Sequence, residues 1–223
     1  MTGDPGTPGA GHWEINLGVS GERHPGVSAW KCPILDFNYG LGETVQLKYE
    51  VPYLVLGEAG QSRRSGWGNS EAGVKWRFLD TTSQGGLAIS VYPQLEFNNA
   101  DSASDDRGLV ESGSTFLLPV QVEKRLGGVK LNLELGREFR ASEDAWFYGA
   151  AVSRPLNARV ELGLELTGAA TPGLDRSRLV VNSGLTFAVD DRSSLHVAVG
   201  RELHNHSDPV ATLVGYLGWQ WRR

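Results

Sequence analysis

The sequence predicts an all-β fold, an antiparallel up-and-down β-barrel of about twelve strands. Three observations carry that reading. Apolar and polar residues alternate with a period of two in one segment after another, from His12 to Trp221. The connections alternate between short turns and longer, polar or glycine-rich links. Aromatic residues collect near the segment ends rather than along their length.

The closing stretch, 210–221, reads VATLVGYLGWQW. Ala211, Leu213, Gly215, Leu217, Trp219 and Trp221 share one face, and Thr212, Val214, Tyr216, Gly218 and Gln220 the other. A last strand left unpaired is an exposed edge, and pairing it with the first strand removes that edge. From the start, residues 1–11 are rich in Gly, Pro and Thr and read as a flexible leader. Residues 12–223 form a single barrel domain. Within it, 12–23 sets Trp13, Ile15, Leu17 and Val19 against Glu14, Asn16 and Ser20. Segment 34–41 sets Leu35, Phe37 and Tyr39 against Asp36 and Asn38, and 44–55 sets Val45, Leu47 and Tyr49 against Gln46, Lys48 and Glu50. Segments 71–79 and 87–98 continue with Val74, Trp76 and Phe78 against Lys75 and Arg77, then Ile89, Val91 and Leu95 against Ser90, Tyr92 and Gln94. The later segments, 115–124, 129–139, 145–153, 159–167, 178–189 and 194–202, repeat the scheme; Leu131, Leu133 and Leu135 against Lys130, Asn132 and Glu134 is the clearest case. Longer links fall near 24–33, 56–70, 99–113, 140–144, 168–177 and 203–209, with short turns between them.

Composition narrows the class. The net charge of -5 excludes nucleic acid as the obvious partner. No stretch reaches the roughly 20 apolar residues of a membrane helix, a limit that does not apply to barrel strands. Cys32 is the one cysteine, so no internal disulfide forms. The opening lacks the charged and apolar regions of a signal peptide, and the expectation is a mature chain with the signal removed and a Met added.

With both termini on the short-turn, periplasmic side, Trp13, Tyr39, Trp76, Phe78, Phe187, Trp219 and Trp221 fall at the periplasmic ends of outward faces. Tyr49, Tyr53, Phe97, Phe116, Phe139, Trp146 and Tyr148 fall toward the extracellular ends. Two such rows are the aromatic girdles of a membrane barrel. A soluble β-sandwich or barrel with its apolar face inward explains the alternation equally well but not this sorting or the alternation of loop lengths. The expected location is the bacterial outer membrane, in contact with lipid and lipopolysaccharide, as a monomer.

Several stretches also resemble a known family: SGWGNSEAGVKWRFLD (65–80), ISVYPQLEF (89–97), FLLPVQVEKRLG (116–127) and VAVGRELHNHSDPVATLVGYLGWQ (197–220). The family is the outer-membrane transporters grouped under the MetA pathway of phenol degradation. The resemblance spans most of the chain from residue 12. It implies a bacterial outer-membrane barrel passing aromatic or other small organic compounds, and it supplies no substrate-binding residues.

The polar faces supply the candidate pore lining. Glu14, Asp36, Glu50, Glu71, Glu96, Glu123, Glu134, Glu138, Glu161, Glu165 and Glu202 stand against Lys48, Lys75, Lys130, Arg77 and Arg159, with His196 among them. Such a lumen favours cations or neutral solutes; the competing reading is an ion-paired interior that braces the wall and leaves little pore. Lys75 and Arg77 share a face and are candidates to orient a carboxylate or phenolate, or to pair with Glu50 and Glu96 across the sheet. The run His204-Asn205-His206-Ser207-Asp208 raises a metal site or a barrel lipid hydrolase, against an ordinary polar loop. Asp101, Asp105, Asp106 and Glu111 mark an acidic loop that could bind Ca²⁺ or fold inward, and Trp67 is a mouth or rim aromatic. The expectation is a passive channel for small molecules with an acidic lumen, not an enzyme, without cofactor or metal. The alternatives are a sealed structural or adhesive barrel and, third, the hydrolase.

Overall fold

The computed structural model describes residues 2–99, 104–206 and 210–223. Alternation becomes strand along nearly the whole chain: β1 (Trp13–His24), β2 (Val27–Gly40), β3 (Val45–Glu58), β4 (Arg64–Trp67), β5 (Ser70–Asp80), β6 (Leu87–Val91), β7 (Gln94–Phe97), β8 (Thr115–Leu126), β9 (Val129–Phe139), β10 (Ala145–Pro155), β11 (Val160–Ala170), β12 (Ser177–Ala188), β13 (Ser193–Asn205) and β14 (Leu213–Arg222). A 3-10 turn, Thr82–Gln84, is closed by Gly85 at φ 71°, a left-handed value that only glycine adopts freely.

Neighbouring strands are antiparallel, and the sheet closes on itself. The last strand, β14, pairs with the first, from Glu14 with Arg222 to Arg23 with Leu213. β3 pairs with β5, and β6 and β7 together occupy one position between β5 and β8. The wall is therefore a closed barrel of twelve strand positions, with β4 added as a short flap on β3. Closure satisfies the hydrogen-bonding groups that an open edge would leave unpaired.

Register carries polarity round the wall, because cross-strand partners share a face. Glu161, opposite Thr186, and Glu165, opposite Asn182, look inward; Leu162 and Leu164, opposite Leu185 and Ser183, look outward. Inside, Asn38, Gln46, Ser90, Gln121 and Asn132 are buried. Outside, Leu17, Leu135, Leu164 and Trp76 are each more than half exposed, at 51%, 55%, 53% and 53%. Such an inside-out distribution makes sense only if the outer surface meets something apolar.

Some boundaries depart from the sequence reading. The link expected at 24–33 shrinks to Pro25 and Gly26, because β1 and β2 run on to meet there. A bulge in β2 shifts the register between Lys31 and Ile34 and resets which residues face inward. The single strand expected over 87–98 is broken after Val91, at Tyr92 and Pro93, and the proline has no N–H for the ladder. The last strand begins at Leu213 rather than Val210.

Candidate functional site

The interior is built from a wall and a segment inside it. Residues 2–11, expected as a free leader, instead run from the rim into the barrel. At the rim the Gly11 N–H donates to the Gly40 carbonyl at 2.9 Å, and the Thr7 hydroxyl to the Glu43 carbonyl at 2.8 Å. Further in, Lys75 Nζ donates to the carbonyls of Asp4 and Gly6 at 2.7 and 3.2 Å. The Gly3 N–H reaches Glu134 Oε2 at 3.0 Å, and the Thr2 N–H donates to the Glu165 carboxylate. Wall glycines make the room. A Cβ on Gly40 would collide with the Gly9 backbone, and one on Gly149 with the Thr2 side chain. The segment has little side chain of its own, so its main-chain groups meet the wall's charges directly.

That arrangement divides the lumen. On the β5, β8, β9 and β11 side, Lys75, Glu134, Gln121 and Glu165 are taken up by the inner segment or by each other, with Gln121 Nε2 donating to Glu134 Oε1 at 2.8 Å. On the β1, β2 and β12 to β14 side a cavity of about 910 Å³ remains, lined by Asn16, Asp36, Glu50, Asn182, His196 and Tyr216 among others, with Asp4 on its inner border. A second cavity of about 950 Å³ opens at the end of the barrel opposite the termini. Its lining mixes Pro52, Leu54, Leu56 and Leu117 of the wall with Leu109, Val110 and Glu111 of the loop between β7 and β8. The two cavities meet at Ser20, Glu22, Lys31 and Arg178, which border both.

Most inner charges are paired. Lys48 bridges Glu50 at 3.0 Å and Glu71 at 2.5 Å. Arg178 bridges Glu22 at 2.7 Å and Glu202. Arg222 holds Glu14 at 2.8 Å, and Lys130 lies 3.7 Å from Glu161. Asp36 and Glu96 accept instead from amides, Asn16 at 2.8 Å and Asn69 at 2.9 Å. His196 sits between the hydroxyls of Thr186 and Ser194 at 3.2 and 2.8 Å.

Of the residues the sequence offered as pore lining, Asp36, Glu50, Lys130, Glu161 and His196 border the inner cavity, and Glu96 and Glu138 border the mouth cavity. The others are placed differently. Arg159 is not in the wall: it lies in the exposed turn before β11. Glu202 faces inward but is 0% exposed, enclosed by Arg178, Asn205 and the Ala211 N–H at 2.6 Å. Lys75 and Arg77 do not converge on open space. The first is buried under the inner segment, and the second donates to the Glu43 carbonyl at 2.7 Å and lies 3.3 Å from Asp80. Neither pairs with Glu50 or Glu96. Lys31 and Arg178 were missed. Lys31 fell in a stretch read as a loop, and the β2 bulge breaks the alternation that would have turned it inward.

Aromatic side chains pack against one another at both ends of the strands. Near the termini, Trp13 packs on Tyr39 at 4.9 Å and Trp76 on Phe78 at 5.6 Å, with Trp219 and Trp221 on β14 close by. At the opposite end Phe116 packs on Phe139, Arg137 lies over Phe139 and Trp146, and Tyr148 lies over Gly168. Trp67 packs edge-on against Tyr53 at 5.3 Å on the outer rim. His204 and His206 meet edge-on at the surface, 5.4 Å between ring centroids. Ser207, Asp208 and Asp101, named in the hydrolase and acidic-loop readings, lie outside the described residues. Among the described residues no group of three His, Cys, Asp or Glu is arranged to hold a metal.

No family model matches this chain, and no curated protein sequence does. Solved structures do. The COG4313 outer membrane channel from Pseudomonas putida F1 superposes over 100% of this chain and 99% of its own, with TM-score 0.79 at 14% identity. A KdgM porin, solved in complex with disordered oligogalacturonate, covers 93% of this chain and 98% of its own, with TM-score 0.65 at 12% identity. The CymD monoaromatic hydrocarbon channel covers 95% of this chain and 88% of its own, with TM-score 0.54 at 6% identity. At these identities the likeness establishes the fold, that of outer-membrane channel barrels.

Proposed function

We propose that the protein is a passive outer-membrane channel for small molecules, running alongside the inner segment rather than through the whole lumen. The observation that carries the reading is the pair of cavities, about 950 and 910 Å³, that meet at Ser20, Glu22, Lys31 and Arg178. Together they trace a route from the loop end past Asp36 to Arg222, near the termini. The apolar outer surface supports a lipid setting, with the two outward aromatic rows, Trp13, Tyr39, Trp76, Trp219 and Trp221 and then Trp146 and Tyr148, at its interfaces. The loop end is then extracellular, facing lipopolysaccharide, and the termini periplasmic. Small organic solutes, aromatic ones included, suit a route with an apolar mouth. The family resemblance and the channel names of the structural neighbours point the same way.

Selectivity follows from the pairing. Most lumen carboxylates are paired with cations or covered by the inner segment, so the cation bias is modest and rests on Asp36 and Glu96, whose partners are uncharged amides. Planar-bilayer recording of the refolded protein tests the reading. Stable conductance steps with a small cation-biased reversal potential are the expected result. Silence from folded, inserted protein would mean that the inner segment seals the lumen and that the barrel is structural.

A further inference from the structure

The inner face changes character along one strand. On β3 the inward positions run Gln46, Lys48 and Glu50, then Pro52, Leu54 and Leu56. Polar lining gives way to an apolar shelf, extended by Leu109 from the loop that folds over the mouth. At the foot of the shelf stands Lys31. Its cross-strand partners are Ser20 on β1 and Leu54 on β3, both bordering the cavities, and it borders both cavities itself.

Lys31 also differs from the other inner cations in charge balance. Lys48, Lys130, Arg178 and Arg222 each have a carboxylate, and Lys75 has two carbonyls. No described carboxylate lies within ion-pair distance of Lys31, and its side chain is exposed to the cavity. An ammonium in a partly dehydrated passage attracts an anion, and an apolar surface beside it favours one that carries a hydrocarbon body.

We propose that Lys31 and the Pro52-Leu54-Leu56 shelf form a binding site for small organic monoanions, an apolar or aromatic body bearing one carboxylate or phenolate. The anion pairs with the Lys31 ammonium while its body lies on the shelf beneath Leu109. The site sits where a solute must pass from mouth to inner cavity. It therefore selects what enters, and in this respect the inference rests on the channel reading. Inorganic anions lack the apolar contact, and neutral analogues lack the charge.

The test uses the full-length refolded protein, with benzoate as probe and benzamide as its uncharged counterpart. Binding is followed by saturation-transfer NMR and, separately, as block of single-channel current. Saturable benzoate binding is expected, with benzamide weaker by roughly tenfold or more, the usual weight of a charge-assisted hydrogen bond. Lys31→Met is expected to weaken benzoate by a similar factor and Lys31→Arg to retain it. Leu54→Asn should weaken benzoate several-fold while leaving the far weaker binding of acetate unchanged. Lys124→Met, at the rim near the termini, should behave as wild type. The proposal is overturned if Lys31→Met binds benzoate like wild type, if benzamide binds as well as benzoate, or if no saturable binding appears up to about 10 mM. The two ideas separate cleanly. Lys31-dependent binding without conductance removes the channel and keeps the site, and conductance without Lys31-dependent binding does the reverse.

Discussion

The two sides of the lumen are lined by similar residues and do different things. On the β9 and β11 side, Glu134 and Glu165 point inward and are capped by main-chain N–H groups of the inner segment. On the β2 side, Asp36 points inward from an equivalent position and borders an open cavity. Strand pattern alone does not separate them. What separates them is whether a second layer of chain lies on top, so a carboxylate facing a barrel lumen is pore lining only where nothing covers it.

The largest effect should come from removing the difference. Deleting residues 2–9 frees Glu134, Glu165 and Lys75 and should about double the single-channel conductance, as the free cross-section widens. An unchanged conductance would mean that the open side already carries all the current that the wall permits. Next in size is the anchor at the mouth. Glu202→Ala leaves Arg178 with Glu22 alone and orphans the Ala211 N–H, and should cost about 3 kcal/mol in a denaturant refolding titration. A loss below about 1 kcal/mol would show that water replaces the carboxylate.

Smaller changes sharpen the comparison. Gly149→Leu should push Thr2 off the packed side and raise conductance, though less than the deletion. Gly163→Ala, whose Cβ would meet nothing nearer than 3.9 Å, should leave it alone. Equal effects would mean that the segment is not held where these contacts place it. Asp36→Asn should reduce the cation bias in a salt gradient, whereas Glu134→Gln, covered by Gly3, should shift the reversal potential little. The smallest effect belongs to a turn outside the barrel wall. The Arg192 N–H, then the Ser193 hydroxyl, hold the Asp190 carboxyl below its ordinary range. A depressed folded-state value stabilises the turn at neutral pH and loses that contribution as pH falls through the carboxylate range. Asp190→Asn should therefore flatten the acid limb of a thermal-stability profile slightly, and an identical limb would count against it.

What was legible in the sequence follows from which physics is local. Strand β9 could be read outright, since its leucines and polar residues alternate with nothing to interrupt them. Closure could be read too, because β14 ends in outward tryptophans that match Ile15 and Leu17 on β1. The bulge at Lys31 and the break at Pro93 were harder. Each changes the register without changing the hydrophobic content, and the first turned a lumen lysine into an apparent loop residue. Residues 2–11 were unreadable for a different reason. Glycine and proline look like free chain, and the groups that tie them down are backbone amides and carbonyls, which every residue possesses. The pairing state of the carboxylates lay beyond reach as well, because Lys48 with Glu71 and Arg178 with Glu22 are partners set by the closed register.

The inner segment also bears on how the barrel is made. It is continuous with β1, and β1 is zipped to β14, the final strand of the sheet. The seam therefore cannot seal until synthesis has reached its last strand, by which time residues 2–11 have long been available. If they lie inside when the seam seals, Glu134, Glu165 and Lys75 have amides and carbonyls to hold during assembly, and the segment serves as a mandrel around which the polar wall is wound. If they enter later, they must travel through the rim at Gly40. Adding the leader as a separate peptide to refolded, truncated barrels distinguishes the two histories, since only the second lets it find its place.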